Sequence, residues 1–254
     1  MRLWAVATNT FKETIRNRIL VNILLFAIAL ILLSLVVGEW SLGHQSKVIK
    51  DFGLSAMSLF GLLIAIFIGI RLMVQEMEQR TVYLILSKPI HRWEFVIGKY
   101  LGLACTLALN VLLMSLTLWA VVLVQEGRID FGLAPAILLI YIEICLIVAF
   151  ALLFSSFTSP TLSALFTLVI FVVGHTAAFL RDFILLYPDK PFLWLIRAIY
   201  TAMPNLENLN IKMAAVQHIP APPHAVLFGF LYGLGYTVFV LVLTILVFEN
   251  KDLK

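Results

Sequence analysis

The stretch that decides the fold is ILVNILLFAIALILLSLVV, residues 19–37. It contains no charged side chain, and its length matches the roughly 20 residues that a helix needs to cross the hydrocarbon layer of a bilayer. A surface helix of a soluble domain would instead carry a polar face. The pattern therefore predicts that residues 19–37 cross a membrane as an α-helix.

Outward from this stretch, the whole chain has the same character. Hydrophobic residues make up 62% of its 254 residues and charged residues 13%, whereas soluble domains carry about 25% charged residues. The apolar runs do not alternate with polar residues as the strands of a membrane barrel would. The predicted fold class is an all-α integral membrane protein, with residues 1–254 as one transmembrane domain. The six predicted spans are 19–37, 52–73, 97–124, 132–157, 160–180 and 225–248.

The basic residues predict the orientation of these spans. Of the 18 Lys and Arg residues, eleven precede the first span, lie around the loop after the second, or follow the last. Cytoplasmic loops of membrane proteins are enriched in Lys and Arg. We therefore expect both termini in the cytoplasm of a multi-pass protein. The net charge of +4 follows this bias, so we expect no nucleic-acid partner.

Two segments outside the spans have patterns of their own. In residues 1–18, Trp4 and Phe11 recur at helical spacing with Ala7 and Ile15, which predicts an amphipathic helix in the membrane interface. A plain extension of the first span is the alternative. Residues 181–224 contain six prolines. They predict an extracytoplasmic cap with short helices near 190–202 and 205–217.

The one charge-dense segment in the middle of the chain is EMEQRTVYLILSKPIHRWEFVIGK, residues 76–99. Pro89 cannot continue a helix, so a helix is expected to end near Ser87. An apolar run outside the membrane, here residues 82–86, needs a groove on a partner or burial against neighbouring spans. A simple solvated linker is the alternative.

Polar residues inside predicted spans are candidates for function. Glu143 lies about 15 Å into the fourth span at about 1.5 Å per residue, near the midplane, and a carboxylate there costs about 2.5–3.5 kcal/mol on insertion scales. His175 in the fifth span is its candidate partner along a translocation path. A structural hydrogen bond between spans is the alternative for Glu143.

Small residues recur every four positions in two spans, which lets another helix approach closely. We expect packing seams within one subunit, or between subunits, at Gly61, Ala65, Gly69, Gly229 and Gly233.

Motifs for catalysis or metal binding are not recognisable in the sequence. His218 and His224 are too far apart for a helical ligand pair, so no metal site is predicted. Cys105 and Cys145 both fall in spans and predict no disulfide framework. No nucleophile motif is present, so no catalytic residue is assigned.

The chain resembles permeases of the ABC-2 exporter type, close to those associated with multicopper-enzyme maturation. Such permeases carry acidic residues, Thr, a leucine-like run, Pro, a basic residue and Gly-Lys after the second span. This chain matches with Glu76, Glu78, Thr81, Leu84 to Leu86, Pro89, Arg92 and Gly98-Lys99.

The resemblance implies that residues 76–92 form a coupling helix, which docks into a separate cytoplasmic ATPase. The implied interface comprises Glu76, Glu78, Thr81, Tyr83, Leu84, Leu86, Pro89 and Arg92. It also implies a second permease copy, identical or related, in the lipid of a bacterial cytoplasmic membrane, and export as the direction.

The sequence itself contains no G-x-x-x-x-G-K-[ST] loop, because Trp93 stands where the first Gly belongs. No nucleotide-binding domain and no cofactor are therefore expected on this chain, and ATP and Mg would be bound by the partner. The alternative function is an ion-coupled carrier or a membrane-integral enzyme that uses Glu143 and His175.

Overall fold

The computed structural model describes residues 2–41, 43–78, 91–187, 193–217, 219 and 222–249, and these residues form helices and turns without a strand. The short 3-10 turns are Phe131–Leu133 and Leu206–Leu209. The helices are α1 Arg2–Ile15, α2 Arg18–Glu39, α3 Gln45–Glu78, α4 Arg92–Glu126, α5 Ala134–Phe157, α6 Pro160–His175, α7 Ala177–Leu186, α8 Leu193–Ala202, α9 Lys212–Val216 and α10 Pro223–Glu249.

Five of these helices, α2 to α5 and α10, are long and apolar enough to cross a membrane. The pair α6 and α7 would make a sixth span if taken as one, although the two helices are bent by 56°. The all-α membrane fold predicted from the sequence is thereby confirmed.

The fifth span differs from the uninterrupted helix predicted over residues 160–180. The helix breaks at Thr176, whose hydroxyl donates to the carbonyl oxygens of Val172 and Val173, both at 3.1 Å. A hydroxyl that bonds back to the preceding turn competes with the helical ladder and favours a bend.

Helix α5 is the centre of the bundle. It packs against α3, α4, α6 and α10, and 17 of its 24 residues are buried. A helix that is apolar on all sides is stable only where other helices or lipid surround it. The polar residues Glu143, Ser155 and Ser156 of α5 are buried in the bundle.

The bundle has two ends, which are named by the short helices they carry. At the α1 end, Glu13 lies 4.0 Å from Lys99 near the start of α4. The last turn of α10 also lies there, because Arg92 Nη1 donates to the Glu249 carbonyl oxygen at 2.8 Å. The α8 end holds the α2–α3 and α4–α5 connections and helices α7 to α9.

Helix α1 is separate from α2. Asn17 lies between the two helices and is the N-cap of α2, because its side-chain oxygen accepts from the Ile19 amide at 2.9 Å. Helix α1 buries Ala7, Thr10 and Thr14, whereas Trp4 is 68% exposed.

Glycines in α4 allow α1 to approach closely. A Cβ added at Gly102 would lie 2.6 Å from the Ala7 carbonyl oxygen, and one at Gly98 would lie 2.8 Å from the Val6 side chain. The main chain of α1 therefore rests directly on α4.

In the segment between the last two spans, the first predicted short helix is present. Helix α8 covers most of the predicted helix at 190–202. The predicted helix at 205–217 is instead divided into the turn Leu206–Leu209 and α9. Side chains cause the division, because Asn205 Oδ1 accepts from the Glu207 amide at 3.1 Å and Asn210 Oδ1 accepts from the Lys212 amide at 3.4 Å. Local bonds of this kind favour turns over continued helix.

Candidate functional site

Glu143 is the centre of a polar site inside the bundle. It is the tenth residue of α5, so it lies about 15 Å from the α8 end of that helix. It is 1% exposed. Ser58 on α3 donates to Glu143 Oε1 at 3.4 Å, and Glu143 Oε2 has no hydrogen-bond partner among the described residues. A carboxyl group so enclosed and so weakly bonded is costly to keep charged.

His175 faces the same carboxyl oxygen from the end of α6. Its Nε2 atom lies 3.5 Å from Glu143 Oε1, and its Nδ1 atom lies 3.2 Å from the Phe171 carbonyl oxygen. The structure therefore brings together the two residues that the sequence suggested as partners. This contact connects α5 to the last residue of α6, directly before the break at Thr176.

Two charged residues of the segment between the last spans complete the site. Lys212 at the start of α9 and Glu207 in the turn Leu206–Leu209 are close enough to act electrostatically on Glu143. Glu207 also accepts from Asn210 Nδ2 at 3.2 Å. The polar site thus draws on α3, α5, α6, α9 and this turn.

Residues 204–209, the re-entrant turn, enter the bundle between α5, α6 and α10. Leu206 is 0% exposed and Leu209 is 1% exposed. The Asn205 amide donates to the Tyr232 hydroxyl oxygen at 2.8 Å. Tyr232 is the tenth residue of α10, so the turn reaches roughly the depth of Glu143. This finding changes the sequence-based picture of residues 181–224 as a cap outside the bundle.

Glycines make the space that the re-entrant turn occupies. A Cβ on Gly174 would lie 2.6 Å from Leu206, and one on Gly229 would lie 2.9 Å from the Asn208 carbonyl oxygen. A Cβ on Gly233 would collide with Ile142 and lie 3.3 Å from Leu209. Gly229 and Gly233, singled out for helix packing, thus contact the turn as well as α5.

The small residues of α3 face α5. A Cβ on Gly61 would overlap Ile144, a Cβ on Gly69 would lie 3.3 Å from Ala151, and Ala65 is 1% exposed. The seam runs within one chain, along the helix that carries Ser58.

The sequence-based coupling interface lies mostly outside the described residues, which exclude Thr81, Tyr83, Leu84, Leu86 and Pro89. Glu76 and Glu78 belong to the last turn of α3. Arg92 opens α4, and its Nη1 atom donates to the carbonyl oxygens of Phe248 at 2.9 Å and Glu249 at 2.8 Å. Phe95 stacks on Phe248 with ring centres 5.9 Å apart.

Sequence reasoning missed an ion cluster at the α8 end. Lys50 is 0% exposed, and its Nζ atom lies 2.5 Å from Glu126 and 2.7 Å from Asp130. Ser46 bonds to the same Glu126 carboxylate. Since the partners are separated by about 80 positions along the chain, only the charge of Lys50 just before the second span could have signalled the cluster.

No group of His, Cys, Asp and Glu among the described residues could hold a metal ion. Cys105 and Cys145 are free thiols. The polar site therefore offers a buried acid, an imidazole and an ammonium group, which can exchange protons and bind charged or polar groups.

Comparison with known proteins identifies the family. Residues 4–253 match the family model described as ABC-2 family transporter protein. No curated protein matches the chain. The match extends over nearly all of the chain, in agreement with its membrane-length helices. The chain belongs to the ABC-2 family of transporter proteins, as a multi-pass permease.

Proposed function

We propose that the chain is the permease subunit of an ATP-driven exporter, and that a separate cytoplasmic ATPase supplies the energy. The observation that carries the proposal is the transporter-family match over residues 4–253, in a sequence without a G-x-x-x-x-G-K-[ST] loop. The ATPase subunits would bind ATP and Mg, and two permease copies, identical or related, would form the path through the lipid.

Residues 76–92 are the proposed contact with the ATPase. They connect α3 to α4, and both of these helices pack against α5. A force on this segment would therefore act directly on α3 and α4. A short element with an apolar run and flanking charges suits docking into a groove, with the charges setting register.

Arg92 would carry such a movement to α10. Its guanidinium group donates to the carbonyl oxygens of Phe248 and Glu249 in the last described turn of α10. The close contact of α1 with Gly98 and Gly102 makes α1 move with α4 in the same way. One push at residues 76–92 would thus reach α1, α3, α4 and α10 together.

The test is the double charge reversal Glu76→Lys with Glu78→Lys. We expect at least about a tenfold loss of ATPase copurification from native membranes, because juxtaposed like charges at an interface cost several kcal/mol and 1.4 kcal/mol is tenfold. Membrane insertion should be unchanged. The ATPase is identified by mass spectrometry through its phosphate-binding loop.

The control is Glu39→Lys, a single Glu-to-Lys reversal on an exposed residue at the α8 end of α2. It should leave copurification intact. Equal recovery of the ATPase with the double variant and with wild type would remove the docking role of residues 76–78.

A second candidate function is a proton-coupled carrier, and the observation that favours it is the buried pair of Glu143 and His175 at 3.5 Å. The two candidates differ in their energy source. Purified permease in vesicles with a pH gradient and no ATPase would transport if it is a proton-coupled carrier. It would not transport if it is the permease of an ATP-driven exporter. A mostly apolar interior suits an amphipathic cargo in either case.

A further inference from the structure

Hydrogen bonding decides where the protons of His175 are. The Phe171 carbonyl oxygen can only accept, so the Nδ1 atom 3.2 Å away must carry the proton of that contact. In a neutral imidazole the Nε2 atom then carries a lone pair. The Nε2 atom lies 3.5 Å from Glu143 Oε1 and makes no hydrogen bond among the described residues.

A neutral His175 beside an ionised Glu143 would place two acceptors against each other in an enclosed site. One further proton removes the conflict, either as a carboxylic acid that donates to Nε2 or as an imidazolium that donates to the carboxylate. Both arrangements contain the same number of protons. The geometry therefore calls for one proton shared by the pair.

The surrounding charges agree with this count. The described charged groups that act on Glu143 are Lys212 from α9, His175 from α6 and Glu207 from the re-entrant turn. Ser58 on α3, which donates to Glu143 Oε1, is neutral. With the shared proton the set has zero net charge, and without it the set has a charge of −1.

The proton also bears on the position of the re-entrant turn, residues 204–209. His175 follows directly on Gly174, whose missing Cβ leaves room for Leu206 and for the Pro204 carbonyl oxygen. Glu143 follows Ile142, which contacts Gly233 beside Leu209. The pair therefore ties together the two helices between which the turn is seated.

We propose that Glu143 and His175 form a proton-binding site, and that the shared proton keeps residues 204–209 seated in the bundle. Loss of the proton leaves the Glu143 carboxylate facing the lone pair of His175. Repulsion between the two groups pushes α5 and α6 apart and loosens the turn. The site is independent of the proposed ATPase coupling, because its operation needs only the permease.

The first experiment is infrared spectroscopy of purified wild-type protein in lipid at neutral pH, with Glu143→Gln for band assignment. We expect either the carbonyl band of a protonated carboxylic acid that the variant lacks, or the bands of an ionised Glu143 with an imidazolium. An ionised Glu143 together with a neutral His175 would overturn the proposal.

The second experiment measures the seating of the turn. Asn208→Cys, half-buried in the turn, is labelled by a maleimide in a background where Cys105 and Cys145 are Ala. Its rate is divided by that of Gln217→Cys, an exposed position nearby, which removes the intrinsic effect of pH on thiol reactivity. We expect the ratio to rise several-fold as the pH is raised through the loss of the shared proton.

Adding Glu143→Gln to both cysteine variants provides the decisive comparison. The introduced amide can donate to Nε2 as the protonated acid does, so the ratio should stay low at every pH. A flat ratio with Glu143 intact, or the same rise in the Glu143→Gln background, would show that the pair has a purely structural role and would overturn the proposal.

Discussion

Lys50 is the residue whose replacement should cost the most stability outside the polar site. Its ammonium group is fully buried between Glu126 and Asp130. Lys50→Met would leave two carboxylates close together and largely enclosed, and removing one partner of a buried ion pair costs about 3–5 kcal/mol. We expect a clearly lower thermal unfolding temperature in detergent.

Lys47→Met is the matched control, because Lys47 lies one turn earlier on α3 and is exposed. It should change the unfolding temperature little. Adding Glu126→Gln and Asp130→Asn to Lys50→Met should recover part of the loss, since the uncompensated charges are then gone. Equal stability of Lys50→Met and wild type would contradict the role assigned to the cluster.

At the scale of elements, the packing of α1 on α4 depends on Gly102. A Cβ at this position would meet the backbone of Ala7 at 2.6 Å, and a backbone atom cannot rotate away. Gly102→Ala should therefore lift α1 from α4 at a cost of about 1–3 kcal/mol, the usual range for overpacking. Hydrogen exchange of residues 2–15 should accelerate.

Gly235→Ala is the control for this substitution, because an added Cβ there meets nothing within 4 Å. In the middle of a helix the change should be neutral or should stabilise by about 0.5–1 kcal/mol. If Gly102→Ala left the exchange of α1 as slow as Gly235→Ala does, the close contact between α1 and α4 would not hold α1 in place.

At the scale of the whole molecule, α1 and the last turn of α10 lie at one end of the bundle, as the contacts of Glu13 with Lys99 and Arg92 with Glu249 show. The excess of basic residues around this end predicts that it faces the cytoplasm. In intact cells, an impermeant maleimide should label Arg128→Cys at the α8 end. Lys12→Cys at the α1 end should react only after permeabilisation.

Both variants need the background with Cys105 and Cys145 replaced by Ala, so that only the introduced thiol reacts. The opposite labelling pattern would place the α1 end outside. It would also place residues 76–78 out of reach of a cytoplasmic ATPase, so this experiment bears on the proposed function as well as on topology.

The sequence by itself determined five membrane-length helices and the position of Glu143 along α5. Both are local properties, because the length of an apolar run is matched to the thickness of the bilayer and position along a helix converts directly to depth. The pairing of Glu143 with His175 was a reasonable expectation from their polarity alone, since polar residues in spans tend to face the bundle interior.

Only the tertiary structure decided which helix lies at the centre. Helices α2 and α5 are both strongly apolar in sequence, yet α2 buries five of its 22 residues and α5 buries 17 of its 24. Lipid and protein interior are equally apolar, so hydrophobicity does not distinguish a face that meets lipid from one that meets another helix.

For the same reason, the tertiary structure alone revealed the entry of residues 204–209 into the bundle and the joining of Lys50 to Glu126 and Asp130. These contacts connect residues far apart in the chain. Glycines leave the space for residues 204–209, and buried charges hold Lys50 to its partners. No local pattern encodes such partners, because they are set by the packing of the helices that carry them.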